Sequence, residues 1–206
     1  MSKIQWKPST LLYPVPVCMV SCQGKEGKPN IITIAWTGII NPGPPMVYIS
    51  VRKNRYSYGL IKETNQFVIN LVTKKLLAQT DFCGVKSGRD LDKFAELGLT
   101  TEKSLMIDAP GIEESPVNIE CIVKQVIALG SHDMFLAEIV GVNVDEKLID
   151  KDGKLQLDKA NLVCYSHGEY FSLSECIGFF GYSVAKKKTV KRDSAKKAVK
   201  KNKGQG

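Results

Sequence analysis

Nowhere in these 206 residues is there an apolar run approaching the 18 or more that a membrane-spanning helix needs, so no membrane partner is expected. Residues 11–22 are apolar and follow Lys3 and Lys7, which imitates a secretory leader. Pro14 and Pro16 interrupt them, however, and no small-residue cleavage site follows, so the expected location is the cytoplasm. Histidine is scarce: His132 and His167 are the two present, and neither has a neighbouring ligand pattern. That argues against a dedicated zinc or haem centre, and no metal site is expected. The GxSxG, HExxH and paired-carboxylate arrangements of hydrolytic enzymes are missing as well. So are GxGxxG and GxxxxGK[ST], which means that a nucleotide, if bound, is held some other way. Any chemistry is therefore best assigned to a bound cofactor, with the protein supplying position and electrostatics.

The six cysteines (Cys18, Cys22, Cys83, Cys121, Cys164, Cys176) include no CxxC pair and lie mostly inside apolar segments. In a cytosolic chain they read as reduced thiols used as small hydrophobes. Cys18 and Cys22 lie four apart, on one face of a strand, which leaves a redox pair as the alternative.

Excess negative charge is lacking too, but the formal +8 is unevenly spread. Residues 186–206 hold ten Lys or Arg against one Asp, so the basicity belongs to the tail and residues 1–185 are close to neutral. The expected organisation is one domain over 1–185, large enough for a substantial core, and a tail over 186–206 that is disordered when free.

What is present is mostly strand signal. Residues 15–21, 31–36 and 47–51 read as three strands and sequential antiparallel neighbours, with 41–45 (Asn-Pro-Gly-Pro-Pro) as a link that is neither strand nor helix. A short helix over 58–64 has Ser57 as its N-cap and Asn65 as its stop. Residues 67–72 make a strand, and Thr73 then caps a helix closed by Gly84. A further short helix over 90–97 stops at Gly98. Residues 99–118 are irregular and either functional or wrapped around the body. The two longest strands, 117–128 and 134–144, are joined by 129–133, and a phase slip near Gln125 and Val126 predicts a bulge. A last strand covers 162–165, and the glycine-rich region 170–182 covers the body. The expected fold is mainly β: a closed or nearly closed antiparallel barrel with a few short inserted helices. The turn joining the longest strands is too short for a crossover helix, which disfavours a parallel doubly wound sheet.

The chemistry gathers in residues 30–59. Thr33 and Thr37 flank Trp36 near the end of one strand, and Ser50, Arg52, Lys53, Arg55 and Ser57 crowd the end of the next. Hydroxyls and forked or ammonium donors beside a helix start are what a phosphate needs. The same residues also fit a packed strand with a solvated end, and composition does not decide between the two.

The patterns NxxTxAWTG (30–38), PPMVYISVRKNRYS (44–57) and FVINL (67–71) resemble the flavin reductase-like family of FMN-binding split barrels, most closely its flavoredoxin branch. ESPVNIEC (114–121), GSHDMFLAEIVGV (130–142) and SECIGFFGYSV (174–184) extend the resemblance over residues 8 to 185. It implies a split barrel that holds FMN noncovalently, with Asn30, Thr33, Ala35, Trp36 and Thr37 along the flavin. It further implies Ser50, Val51, Arg52, Lys53, Arg55 and Ser57 on the phosphate side, without resolving which of the three basic residues makes contact. Cys83 and Gly84, followed by Lys86, Ser87, Gly88, Arg89 and Lys93, match a region that closes over the ring; Cys83 itself reads as a packed thiol. His132 is implied as a participant in a proton or hydride step, near both flavin and nicotinamide.

The function expected is an FMN-binding oxidoreductase, a homodimer, passing electrons from NADH, NADPH or a redox protein to free flavin or another acceptor. A noncatalytic electron-transfer flavoprotein is the second expectation. The third is a module whose basic tail meets nucleic acid or an anionic surface; with a near-neutral body, nucleic acid is not the expected partner.

Overall fold

The computed structural model describes residues 1–185; the tail at 186–206, read above as disordered, lies outside them. The main unit spans Met1–Leu173, and residues 174–185 belong to a second unit. Among the described residues no helix is long and apolar enough to cross a membrane.

The elements of the main unit run β1 (Val15–Pro16), β2 (Cys18–Gln23), β3 (Pro29–Ile34), β4 (Thr37–Pro42), β5 (Pro45–Arg52), α1 (Tyr56–Thr64), β6 (Gln66–Leu71), α2 (Leu77–Val85) and α3 (Lys93–Leu97). They continue with β7 (Thr101–Glu102), β8 (Gly111–Ile112), β9 (Val117–Ala128), β10 (His132–Val144), β11 (Val163–Ser166) and β12 (Glu169–Ser172). Seven strands form one antiparallel sheet in the order β3-β2-β6-β9-β10-β5-β4. Its two edge strands, β3 and β4, are separated in sequence only by Ala35 and Trp36, so the sheet has to curl until its edges approach. The β4–β5 ladder continues one residue into that link, where Ser50 N donates to Trp36 O at 2.9 Å. This is the antiparallel split barrel expected from the sequence, and the split lies at Ala35–Trp36.

Alternation along β2 and β3 explains why both strands read as unbroken apolar runs. Cys18, Val20, Cys22, Ile32 and Ile34 face the barrel interior with Ile49, Phe67, Cys121 and Phe135. Met19 and Ile31 face outward and are covered by Leu76 and Cys83, by Phe94 of α3 and by Val163 of β11. Each side chain of the size of Ile or Phe, buried this fully, contributes about 1.5–3 kcal/mol. α2 and α3 are thus pinned to the outside of β3, whereas Ile61 of α1 packs with the interior set.

Several local expectations are corrected. The link after Trp36 is partly strand: β4 runs to Pro42, which pairs with Pro45 of β5 at the hairpin end. Proline is tolerated there because β4 is an edge strand with no outer neighbour to receive its missing N–H. Strands β3 and β5 are not ladder neighbours, since β5 pairs with β4 and β10. Ser57 is not an N-cap; Arg55 takes that position, extended at φ −73 and ψ 140, and Ser57 is buried as the second residue of the helix. Gly84 lies inside α2, which ends at Val85 with Lys86 as its extended C-cap. α3 begins at Lys93, with Asp92 accepting from Phe94 N and Ala95 N.

Other expectations hold. Asn65 and Gly98 stop α1 and α3 in the left-handed region, at φ 56 and φ 60. β9 and β10 pair with a register shift opposite Leu136 and Ala137 that leaves Lys124 as the extra residue, next to the predicted slip. The 99–118 segment wraps the body. Buried Glu120 accepts from Leu105 N (2.9 Å), Met106 N (2.7 Å) and Asn143 Nδ2 (2.8 Å), and Asn70 Oδ1 accepts from Ile112 N (3.0 Å), so the wrap is held by polar bonds to the sheet.

Candidate functional site

The seam opens into a cleft of about 410 Å³. One wall is the chain on either side of the split, Thr33 to Trp36 with Ser50, Val51 and Arg52; the other includes Tyr13, Tyr165 and Tyr170. His132 starts β10 opposite Arg52 of β5, and its ring lies 4.7 Å from that of Trp36, tilted by 46°. Ser131 Oγ is 2.9 Å from its Nδ1. Burial, together with the positive charge of Arg52 and Arg55, holds the imidazole below its usual 6.5, so it is neutral at pH 7. The tyrosines stack edge-on, Tyr13 with Tyr165 at 6.3 Å and Tyr165 with Tyr170 at 5.5 Å. Tyr170 Oη donates to Asp81 Oδ1 at 3.0 Å, and burial and that carboxylate push its hydroxyl up to about 12.

A second cavity of about 190 Å³ adjoins the first, sharing Ile32 and Arg55 with it. Asn30, Ser57, Cys83, Gly88 and Lys93 are its buried lining, and Asn54, Arg55, Lys86 and Arg89 its exposed one. Asn30 Nδ2 donates to Ser57 Oγ at 2.7 Å, which holds the serine hydroxyl at the cavity floor. Lys93, 3% exposed, gives protons to Ile31 O (2.7 Å) and Cys83 O (2.8 Å), and its burial lowers its affinity for the third. Gly88 is required: a Cβ there would stand 2.0 Å from Asn30 Oδ1. The first turn of α1 carries no acidic residue and no side-chain cap, so its amide end is open. Among the described residues the ion pairs are Lys53–Asp133 and Lys124–Glu138, so no carboxylate neutralises Arg52, Arg55, Lys86 or Arg89. Uncompensated cations, a serine hydroxyl and a helix start form a donor set suited to a phosphate.

Of the residues singled out in the sequence, Thr33, Ala35, Trp36, Ser50, Val51, Arg52 and His132 line the first cavity, Asn30, Ser57 and Cys83 the second, and Arg55 both. Three are not brought to either. Lys53 lines neither cavity; its Nζ lies 3.4 Å from Asp133 Oδ1, in a depression with Arg52, Asn54 and Ser131. Thr37 is buried and its hydroxyl donates to Tyr48 O at 2.6 Å. Gly84 backs the seam from behind, where a Cβ would meet Thr33 Cβ at 3.3 Å. Cys83 is a packed thiol that burial pushes up to about 11, and burial takes Cys18 and Cys22 to about 12. None of the three is ionised near neutrality.

The flavin reductase like domain matches residues 10–174 of this chain. The chain belongs to the flavin reductase-like family. Its fold is similar to that of flavoredoxin of Desulfovibrio vulgaris (Miyazaki F), with a TM-score of 0.83 and 32% identity over 89% of this chain and 100% of that one. Flavoredoxin from Methanosarcina acetivorans matches with a TM-score of 0.81 and 26% identity, covering 90% of this chain and all of its own. An uncharacterized protein of Archaeoglobus fulgidus is 31% identical over 161 residues, 78% of this chain and 89% of the relative.

Sequence reasoning passed over Tyr13, Val17, Ile32, Tyr165 and Tyr170 in the first cavity and left Asn54 and Tyr56 out of the second. Tyr13, Tyr165 and Tyr170 sit on the chain before β1 and on the β11–β12 hairpin, which β1 joins through Val15 and Tyr165. No local pattern announces that pairing. The signal available was compositional: three tyrosines in flanking segments with no core position assigned to them.

Proposed function

We propose that the chain is an FMN-binding oxidoreductase of the flavoredoxin type. The single observation that carries this reading is the continuity of an aromatic-walled cleft with a cavity rimmed by unpaired cations. The ring belongs in the first, against Trp36 and His132, and the phosphate in the second. FMN supplies the redox chemistry, accepting and giving up two electrons singly or as a hydride. The chain does the rest. Arg55, Lys86 and Arg89 balance the phosphate charge while Ser57, held by Asn30, donates to it. Thr33 is fixed by its hydroxyl bond to Thr80 O, so the strand along the ring is locked to α2. Trp36 keeps water from one wall. His132, neutral at pH 7 and in contact with Ser131 at Nδ1, can take up a proton at the ring nitrogen its tautomer leaves bare, at a pH below its usual 6.5.

The proposed electron donor is NADH, NADPH or a redox protein, and the acceptor is free flavin or another oxidant. We also read the working unit as a homodimer, a reading supported by the family resemblance and by Ile39 and Ile40 standing exposed on edge strand β4.

The visible spectrum of the purified protein tests the reading. Flavin bands, present as isolated or gained on adding FMN, are the expected result, followed by their anaerobic bleaching with NADH or NADPH. A colourless protein that gains no bands with FMN overturns the reading; bands that no nicotinamide bleaches leave a redox protein as the donor.

A further inference from the structure

We infer that Arg89 is a latch across the second cavity that selects a flavin mononucleotide over a dinucleotide. The inference rests on the placement of the phosphate in that cavity and adds what sets its size limit. The lining divides by exposure. Asn30, Ser57, Cys83, Gly88 and Lys93 are buried and form the floor; Asn54, Arg55, Lys86 and Arg89 are exposed and form the rim. The rim comes from two segments more than 30 residues apart, the turn before α1 and the loop after α2, and Arg89 ties them together. Its Nη1 donates to Asn54 O at 3.0 Å, and its guanidinium lies over the Tyr56 ring at 5.8 Å from the centroid. The loop behind it is turned by Arg89 N donating to Ser87 Oγ at 3.2 Å, and it approaches the floor so closely at Gly88 that a Cβ there would stand 2.0 Å from Asn30 Oδ1.

A cavity of about 190 Å³ closed in this way has room for a phosphate monoester at the end of a ribityl chain. An adenylate added beyond that phosphate has to leave through the rim, and the Arg89 bridge stands where it would pass. Arginine suits this post because one planar group bonds a carbonyl, stacks on an aromatic ring and still faces the anion; lysine supplies the charge alone.

The test is equilibrium titration of the full chain with FMN, FAD and riboflavin, followed by flavin fluorescence, for wild type, Arg89→Ala and Arg89→Lys. Wild type is expected to favour FMN over FAD by at least about tenfold, as one charge-assisted bond and a stacked cation allow. Both variants are expected to lose most of that preference. Arg89→Lys, which keeps the charge but loses the bridge, is expected to weaken FMN less than Arg89→Ala does and to keep its salt dependence. Because Arg89 is exposed, neither change opens a hole in the core. FMN binding with no preference in wild type, or with the full preference kept in both variants, overturns the latch alone. Absence of FMN binding in wild type overturns the cleft reading and the latch with it.

Discussion

The two joined cavities share Ile32 and Arg55 but are made of opposite materials. The larger one is walled by Trp36, His132 and three tyrosines, at a seam where the barrel's edge strands meet. The smaller gathers Arg55, Lys86, Arg89 and Lys93 around a serine, with no carboxylate among the described residues to balance them. A nonspecific basic surface would scatter its cations, and a purely apolar groove would have none. Polarising the two ends marks out a ligand that is itself polarised, planar and conjugated at one end and anionic at the other.

Breaking the shared residue has the largest expected effect. Arg55→Ala should weaken FMN about 10- to 100-fold, the range of one or two charge-assisted hydrogen bonds, and change riboflavin, which lacks the phosphate, by less than about twofold. Fluorescence titration with the two ligands checks it, and equal losses would show that the cationic end does not read the phosphate. Gly88→Ala comes next. A Cβ 2.0 Å from Asn30 Oδ1 must push the loop or the floor apart, so the melting temperature should drop as expected for an overpacking cost of about 1–3 kcal/mol, with FMN weakened about tenfold. Calorimetry that finds no change would mean that the loop is free to give way.

Trp36→Ala sharpens the other end. It should weaken FMN and riboflavin alike, about 3- to 10-fold, because an aromatic contact serves the ring whatever its tail carries. Lys53→Ala should alter FMN affinity by less than about twofold despite removing a cation from the same turn, since Lys53 lines neither cavity and is engaged with Asp133. The smallest effect is in the titration of His132. Its folded value lies below 6.5, so its contribution to stability is complete above that pH and is lost as pH falls through the folded value. An NMR titration of the ring should find it there, and Arg52→Ala should raise it.

The fold was legible wherever the signal was local. The long β9–β10 pair, its bulge and the stops at Asn65 and Gly98 depend on alternation and on left-handed backbone, both of which a short window records. β4 was not, because a proline such as Pro42 usually excludes a strand and only the edge position makes it harmless. The site was half legible. Residues 30–57 announced donors but not directions: Arg52, Lys53 and Arg55 are near neighbours in sequence, yet Lys53 lines neither cavity and is held by buried Asp133 of β10. Lys86 and Arg89 reach the same cavity only because α2 packs on β3, a contact that sequence spacing does not encode. Tyr170 is placed by a bond to Asp81 that spans 89 residues.

One measurement bears most directly on the polarised cleft: the affinity of the wild-type chain for FMN and for riboflavin, side by side, at low and at raised salt. FMN should bind at least about a hundredfold tighter, and the gap should narrow as salt screens the phosphate end. Equal affinities at every salt concentration, or no binding of either, would contradict it.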